Sequence, residues 1–360
     1  MPFPCEKKVL VGLSGGVDSA VAALLLQEQG CRVIGATMAI YDGSPGGTRT
    51  GGCYDCGEEE DIAQAAGLAD MLGIAHHVFD CSGQYRDVVL AYFRETYLSG
   101  KTPNPCIRCN AKVKFGLLPS LARESGLEFD WFATGHYARL AYSQKFGRRV
   151  LLRARDTPKD QSYFLYRLNQ EQIDHALFPL GEMTKREVRA LAAERGLPMH
   201  DKPDSQNFYG GDYADLLDRQ EQPGNIVDCE GSVLGTHSGF WHFTPGQRRG
   251  LGVAAKNPLY VLRVDPSRNE VVVGDYGQSL QDGCMLEDTH WIVPLELTGN
   301  ALAARLRSSH RPVRVTVREE SSLLAVTFCE PQAGVAPGQS LVLYLDDMVV
   351  GGGIITHRAA

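Results

Sequence analysis

The chain has 360 residues, 43% hydrophobic and 22% charged, with ten cysteines and a formal net charge of −7. Such a composition describes a globular protein of two or three domains. It contains no apolar run near the roughly 20 residues a membrane helix needs, and residues 1–8 lack the apolar stretch of a secretory signal. A cytoplasmic location is therefore expected, where cysteines serve redox or metal chemistry more often than disulfides. The acidic balance argues against a polyanion partner for the molecule as a whole. Locally, however, Arg305, Arg307, Arg311, Arg314 and Arg318 crowd one stretch, and Arg148-Arg149, Arg248-Arg249 and Lys112/Lys114 form smaller clusters. These are either solvated strand faces or a nucleic-acid-binding patch.

The first element is a strand over residues 9–13, followed by Gly12-Leu13-Ser14-Gly15-Gly16-Val17-Asp18-Ser19 and an Ala/Leu-rich helix over 20–26. Glycines there let the backbone turn tightly and approach a ligand, and the helix N-terminus beyond them suits a phosphate. No Gly-Lys-Ser/Thr closes the loop, so it is not a Walker loop. Ser14, Ser19 and the backbone amides are left to bind phosphate, with Asp18 to orient a magnesium ion. Strands over 32–38, 76–79 and 131–134 alternate with helices over 58–72, 85–97 and 110–122. The pattern implies an α/β domain with a mostly parallel sheet covered on both faces. In such sheets the ligand sits beyond the carboxyl ends of the strands, where Met38 and Thr134-Gly135-His136 also fall. Two CxxC pairs lie in loops of this domain: Cys53/Cys56 after a glycine-rich loop over 43–52, and Cys106/Cys109 just before the helix at 110. A thiol at a helix N-terminus should have a lowered pKa; two such pairs also suit zinc or an iron–sulfur cluster. A two-stranded excursion over 140–153 follows. A helix over 184–196 is announced by Thr184 as N-cap and Glu187 three residues later, a capping box. From Gly231 the chain becomes short β runs (260–264, 270–274, 313–318, 323–328, 340–345 and 349–355), the pattern of small β domains or barrels.

The loop Ser14-Gly15-Gly16-Val17-Asp18-Ser19 resembles the PP-loop of the ATP-pyrophosphatase superfamily. Six further segments extend the likeness along nearly the whole chain: Gly100–Asn110, Thr134–Arg139, Lys159–Leu165, Lys202–Gln206, Thr244–Leu251 and Ala336–Gln339. Together, and in that order, they resemble the bacterial tRNA-specific 2-thiouridylases. The resemblance implies a PP-loop (adenine nucleotide alpha hydrolase-like) domain over residues 1–200. It also implies a small central tRNA-contacting domain over 201–282 and a barrel-like β domain over 283–360. It implies that Gly12, Leu13, Ser14, Gly15, Gly16, Val17, Asp18, Ser19, Met38 and Gly135 hold ATP and that Cys109 is the nucleophile. Asn104, Pro105 and Cys106 would meet the target base, and His136, Lys159, Asp160, Gln161, Arg307, Ser308 and Gln339 would contact tRNA. The implied reaction is ATP-dependent 2-thiolation of the wobble uridine, with glutamate, glutamine and lysine tRNAs as acceptors. Sulfur would come from a cysteine desulfurase or a carrier protein. Other readings of the motifs are a PP-loop enzyme adenylating another tRNA base or a small molecule, and a zinc-stabilised RNA-binding module.

The chain departs from that family where a second cysteine usually follows Asp-Ser-Gln: that position is Tyr209, and no cysteine occurs between Cys109 and Cys229. Conversely, Cys106 stands where many relatives carry aspartate, and Cys53 is additional. A relocated sulfur site is expected. Either Cys106 or the Cys53/Cys56 pair replaces the missing partner thiol, or three of Cys53, Cys56, Cys106 and Cys109 hold a four-iron four-sulfur cluster.

Overall fold

The computed structural model describes residues 7–43, 52–198, 208–299 and 301–358. Most of the glycine-rich loop and the Lys202–Gln206 segment lie outside the described residues. The chain divides into two compact units, one from Met1–Val89, Cys106–Gly210 and Asp347–Val349, the other from Leu90–Pro105, Gly211–Asp346 and Val350–Ala360.

The first unit is built on a parallel sheet. Strands β1 (Lys8–Gly12), β2 (Arg32–Ala39), β3 (Ala75–Asp80) and β4 (Trp131–Ala133) form it, with a hairpin of β5 (Ala138–Ser143) and β6 (Arg148–Arg153) outside and β7 (Ala176–Leu177) at its edge. The order is β3-β2-β1-β4-β7, all neighbours parallel. Val9, Leu10 and Val11 are fully buried, as a central strand covered on both faces requires. Helix α1 (Val17–Glu28) presents Ala20, Val21, Ala22 and Ala23 to the core and packs there with Ala65, Leu68 and Ala69 of α2 (Glu58–Leu72). Because the chain runs outward from β1 in one direction and then returns to β4 on its other side, the order reverses beside β1. That switch point opens a crevice past the strand ends.

Two helices differ from expectation. The span 85–97 is broken into Ser82–Tyr85, a π-wound Arg86–Leu90 and Ala91–Leu98. The span 110–122 begins earlier, with the single turn α3 (Pro105–Arg108), then winds as a π-helix over Cys109–Leu117 before Leu118–Glu124 closes it. A π-helix displaces carbonyls from their usual partners. Here the Gln172 side-chain amide donates to Ala111 O (2.9 Å) and Phe115 O (3.1 Å), which supports the wider winding. The expected capping box is present: Thr184 caps α4 (Lys185–Glu194), accepting from Glu187 N while the Glu187 carboxylate accepts from Thr184 N at 2.6 Å.

The second unit holds two β structures. Strands β8 (Gly224–Val227), β9 (Val233–His237), β10 (Tyr260–Asp265) and β11 (Glu270–Gly274) form a sheet in the order β10-β11-β8-β9. The other comprises β12 (Leu280–Trp291), β13 (Leu302–Arg305), β14 (Val313–Glu320), β15 (Leu323–Ala333), β16 (Ser340–Leu345) and β17 (Met348–Arg358). Their order is β12-β15-β14-β13-β16-β17, and β17 pairs back onto β12. Closure of the barrel removes the free edges that an open sheet would expose.

Candidate active site

A cavity of about 400 Å³ opens in the first unit at the switch point, lined by residues of the glycine loop, the ends of β2 and β4, and the Cys106–Cys109 segment. At one end lies the loop after β1. Gly15 turns with φ +69°, and a Cβ there would come within 2.7 Å of Asp61 O. Gly16 is the N-cap of α1 and offers no side-chain cap, so the first amides of the helix face the loop without a built-in anion. Ser14 and Ser19, expected on phosphate, first of all tie the loop: Ser14 N donates to Ser19 Oγ (3.2 Å), and Ser19 Oγ donates to Gly16 O (3.0 Å). Gly135, at the end of β4, abuts the start of α1 so closely that a Cβ would lie 2.7 Å from Asp18 C and Ser19 N. Only glycine fits there. Met38 lines the same cavity at the end of β2.

Asp18 does more than the sequence indicates. Its carboxylate accepts two hydrogen bonds from Lys185 Nζ, at 2.7 and 2.8 Å, and one from Tyr137 OH at 2.9 Å. The Lys185 side chain is 10% exposed and that of Asp18 29%, so the ammonium is buried while the carboxylate still reaches solvent. Sequence reasoning missed both partners. The available signal was the capping box, which delivers its first helical residue, Lys185, to a fixed position; Asp156 holds that residue's backbone N–H at 2.8 Å.

At the other end of the cavity are the thiols. Cys53, Cys106 and Cys109 line it, as does Tyr85; Cys56 is not among the lining residues. The expectation of a lowered thiol pKa fails. Burial pushes Cys106 up to about 12 and Cys109 up to about 11, and Lys114 only partly offsets it. The physical reason is desolvation: Cys109 sits one turn inside the helical run that starts at Pro105, where burial disfavours the charged form. Asn110 is 4% exposed and donates from Nδ2 to Phe164 O (3.3 Å), while its Oδ1 has no partner among the described residues.

The remaining expected contacts divide into those facing the cavity and those serving the fold. His136, Lys159 and Gln161 line the cavity. Burial, reinforced by the Lys114 charge, holds His136 well below its ordinary pKa; its Nδ1 meets Thr134 Oγ1 at 2.8 Å. Gln161 Oε1 accepts from Tyr137 N at 2.9 Å. Asp160, by contrast, has a wholly buried side chain that accepts from Ala154 N, Ser162 N and Ser162 Oγ. Its carboxylate organises a turn.

In the second unit, Gln339 Nε2 donates to Pro103 O at 3.1 Å, just before Asn104 and Pro105. Arg307 donates to Pro245 O at 2.7 Å, and Ser308 O accepts from Arg305. Arg305 is 6% exposed and also donates to His310 O, so it shapes its loop, whereas Arg311, Arg314 and Arg318 are exposed.

The donor sets test the implied groups differently. A nucleotide fits: two glycines permit close approach and an uncapped helix start faces the loop. Among the described residues no three His, Cys, Asp or Glu side chains are gathered to hold a metal ion, and Asp18 is engaged by Lys185.

Fold and cavity together define an α/β nucleotide-binding enzyme of the PP-loop kind, with thiols facing the nucleotide loop. Family profiles described as tRNA methyl transferase HUP domain, tRNA methyl transferase PRC-barrel domain and Aminomethyltransferase beta-barrel domain match residues 7–209, 216–275 and 281–355. A tRNA-specific 2-thiouridylase MnmA from Endomicrobium trichonymphae is 46% identical over 357 residues, covering 97% of this chain and 99% of that protein. Its counterpart from Synechococcus sp. is 43% identical over 361 residues, covering 98% and 95%. The chain belongs to the tRNA-specific 2-thiouridylase family. Among solved structures, an NMN synthetase from Francisella tularensis overlays with a TM-score of 0.34 and 22% identity, over 58% of this chain and 70% of that one, too loosely to bear on function.

Proposed function

We propose that this protein replaces the 2-oxygen of the wobble uridine in tRNA by sulfur, consuming ATP and releasing AMP and pyrophosphate. The observation that carries this reading is that the glycine loop and the Cys109 thiol line one cavity. ATP supplies an activated phosphorus that turns the uridine 2-oxygen into a leaving group. The α1 amides take the departing phosphates, and the Asp18–Lys185 pair holds the loop's first helical turn and keeps a cation beside it. To reach the cavity the base must leave its stack. Asn110 Oδ1 would accept a nucleobase N–H, which would satisfy its buried oxygen. Neutral His136 can accept or donate a proton near the base without adding charge. Cys109 carries the incoming sulfur as a persulfide, supplied by a cysteine desulfurase or a carrier. A persulfide is more acidic than a thiol, so sulfur loading makes a nucleophile at a site where the bare thiol stays protonated. Lys159, Gln161 and the exposed arginines of the barrel are proposed to dock tRNA; magnesium would arrive with the ATP phosphates rather than on a site built by the protein.

The test is release of AMP and pyrophosphate with and without unmodified tRNA. Release that depends on a tRNA bearing a wobble uridine supports the reading. Equal release without tRNA, or release driven by a small molecule, would favour a different PP-loop adenylating enzyme.

A further inference from the structure

Transfer of a persulfide's outer sulfur to carbon has an electron requirement. That sulfur is at oxidation level zero and ends at minus two in the thiocarbonyl, so two electrons must come from elsewhere. A second thiol supplies them by closing a disulfide with the first. Resting on the thiolation reading, the question is which thiol does so in a chain with tyrosine at 209.

The structure places one candidate beside that very position. A Cβ on Gly52 would lie 2.8 Å from Phe208 O and 2.9 Å from Tyr209 Cα, so residue 52 is pressed against the backbone of 208–209. Two residues on, Tyr54 N donates to Phe208 O at 2.8 Å. Cys53 lies between these contacts, exposed and on the wall of the cavity that Cys109 also lines. The turn is anchored: the Tyr54 ring stacks on Tyr85 at 5.5 Å, and Tyr54 OH donates to Asp42 at 2.6 Å. We propose that Cys53 is the resolving thiol of sulfur transfer and occupies, from a neighbouring segment, the place of a cysteine absent at 209.

The outer sulfur of the Cys109 persulfide attacks C2 of the adenylated uridine and AMP leaves with the former 2-oxygen. This forms a Cys109–S–S–C2 linkage. The Cys53 thiolate then attacks Sγ of Cys109. The Sγ–S bond breaks, its electron pair stays on the sulfur attached to C2, N3 takes up a proton, and 2-thiouridine departs. Cys53 and Cys109 are left joined, and a dithiol reductant returns both to thiols. Burial raises the pKa of Cys109 and Cys106, and Cys53 lies near enough to both to add to that shift; Tyr85 lines the same cavity. Cys106 shares the Cys106–Cys109 turn, whereas Cys53 reaches the cavity from the segment pressed against 208–209; burial raises the pKa of both thiols.

The experiment charges Cys109 with a cysteine desulfurase and cysteine, removes reductant, then adds ATP and tRNA. Peptide mapping after one turnover of the unaltered protein should find a Cys53–Cys109 disulfide. Cys53→Ser should release about one AMP per enzyme yet leave the tRNA held on Cys109 through a bond that dithiothreitol cleaves, where the unaltered protein frees it. Cys53→Ser combined with Tyr209→Cys should again free thiolated tRNA and join Cys109 to the introduced thiol. A Cys106–Cys109 disulfide in the unaltered protein, or free thiolated tRNA from Cys53→Ser without reductant, would overturn the assignment. Absence of any tRNA-dependent AMP from the unaltered protein would instead overturn the thiolation reading, so the two failures are distinct.

Discussion

The two ends of the cavity are built from different materials. At the nucleotide end, backbone does the shaping: Gly15 and Gly135 sit where any Cβ would strike main chain, and Ser14 and Ser19 spend their hydroxyls tying the loop. At the sulfur end, thiols arrive from separate segments, and the one tight backbone approach there, Gly52 against 208–209, fixes where a segment passes rather than which residue carries the thiol. Backbone-coded geometry tolerates almost no substitution and keeps its residues in fixed order. A thiol can be delivered from any segment that reaches the same point. That contrast explains how this chain retains the full PP-loop and yet carries tyrosine at 209.

Three substitutions probe this contrast, in descending order of effect. Cys109→Ser should eliminate 2-thiouridine formation, since a hydroxyl carries no persulfide; mass spectrometry of digested tRNA reads this directly. Gly135→Ala should lose ATP binding and destabilise the protein by about 1–3 kcal/mol, because the atoms it meets are helix backbone that cannot rotate away. Calorimetric titration with ATP and a urea melt measure the two parts. If Gly135→Ala binds ATP normally, the nucleotide end is less backbone-dependent than claimed. Lys185→Met should cost about 2–3 kcal/mol, toward the low end for a broken buried pair because Asp18 keeps some contact with solvent, and should slow AMP release much more than it weakens tRNA binding.

The smallest effect is one of pH. His136 is held well below its ordinary 6.5 in the fold, chiefly by burial. The unfolded chain therefore gains this proton first as pH falls. The stability associated with the neutral imidazole is fully present above 6.5 and declines on acidification below it. His136→Gln should flatten the acid limb of urea midpoint against pH; an unaltered limb would place the titrating group elsewhere.

How far all this could be read from sequence follows the same division. The strand–helix alternation, the capping box at Thr184 and the glycine loop are local patterns, and each appears where its residues indicate. The π-wound Cys109–Leu117 was not legible, because its support is the amide of Gln172, more than fifty residues away. Nor was the Asp18–Lys185 pair, which joins residues 167 apart. The expected acidic thiol was wrong for a related reason: a CxxC before a helix is visible in sequence, but the depth at which folding buries it is not. Arg305 illustrates the same limit, since its neighbours Arg311 and Arg314 are exposed while it fills its own loop.

If one cavity joins adenylation of the uridine oxygen to sulfur attack on the same carbon, that oxygen must leave on the nucleotide. A tRNA whose wobble uridine carries oxygen-18 at the 2-position reports this step. AMP should acquire the label in step with the appearance of 2-thiouridine. Unlabelled AMP accompanying thiolation would contradict it, since the uridine oxygen would then have left by some route other than through the nucleotide bound at the glycine loop.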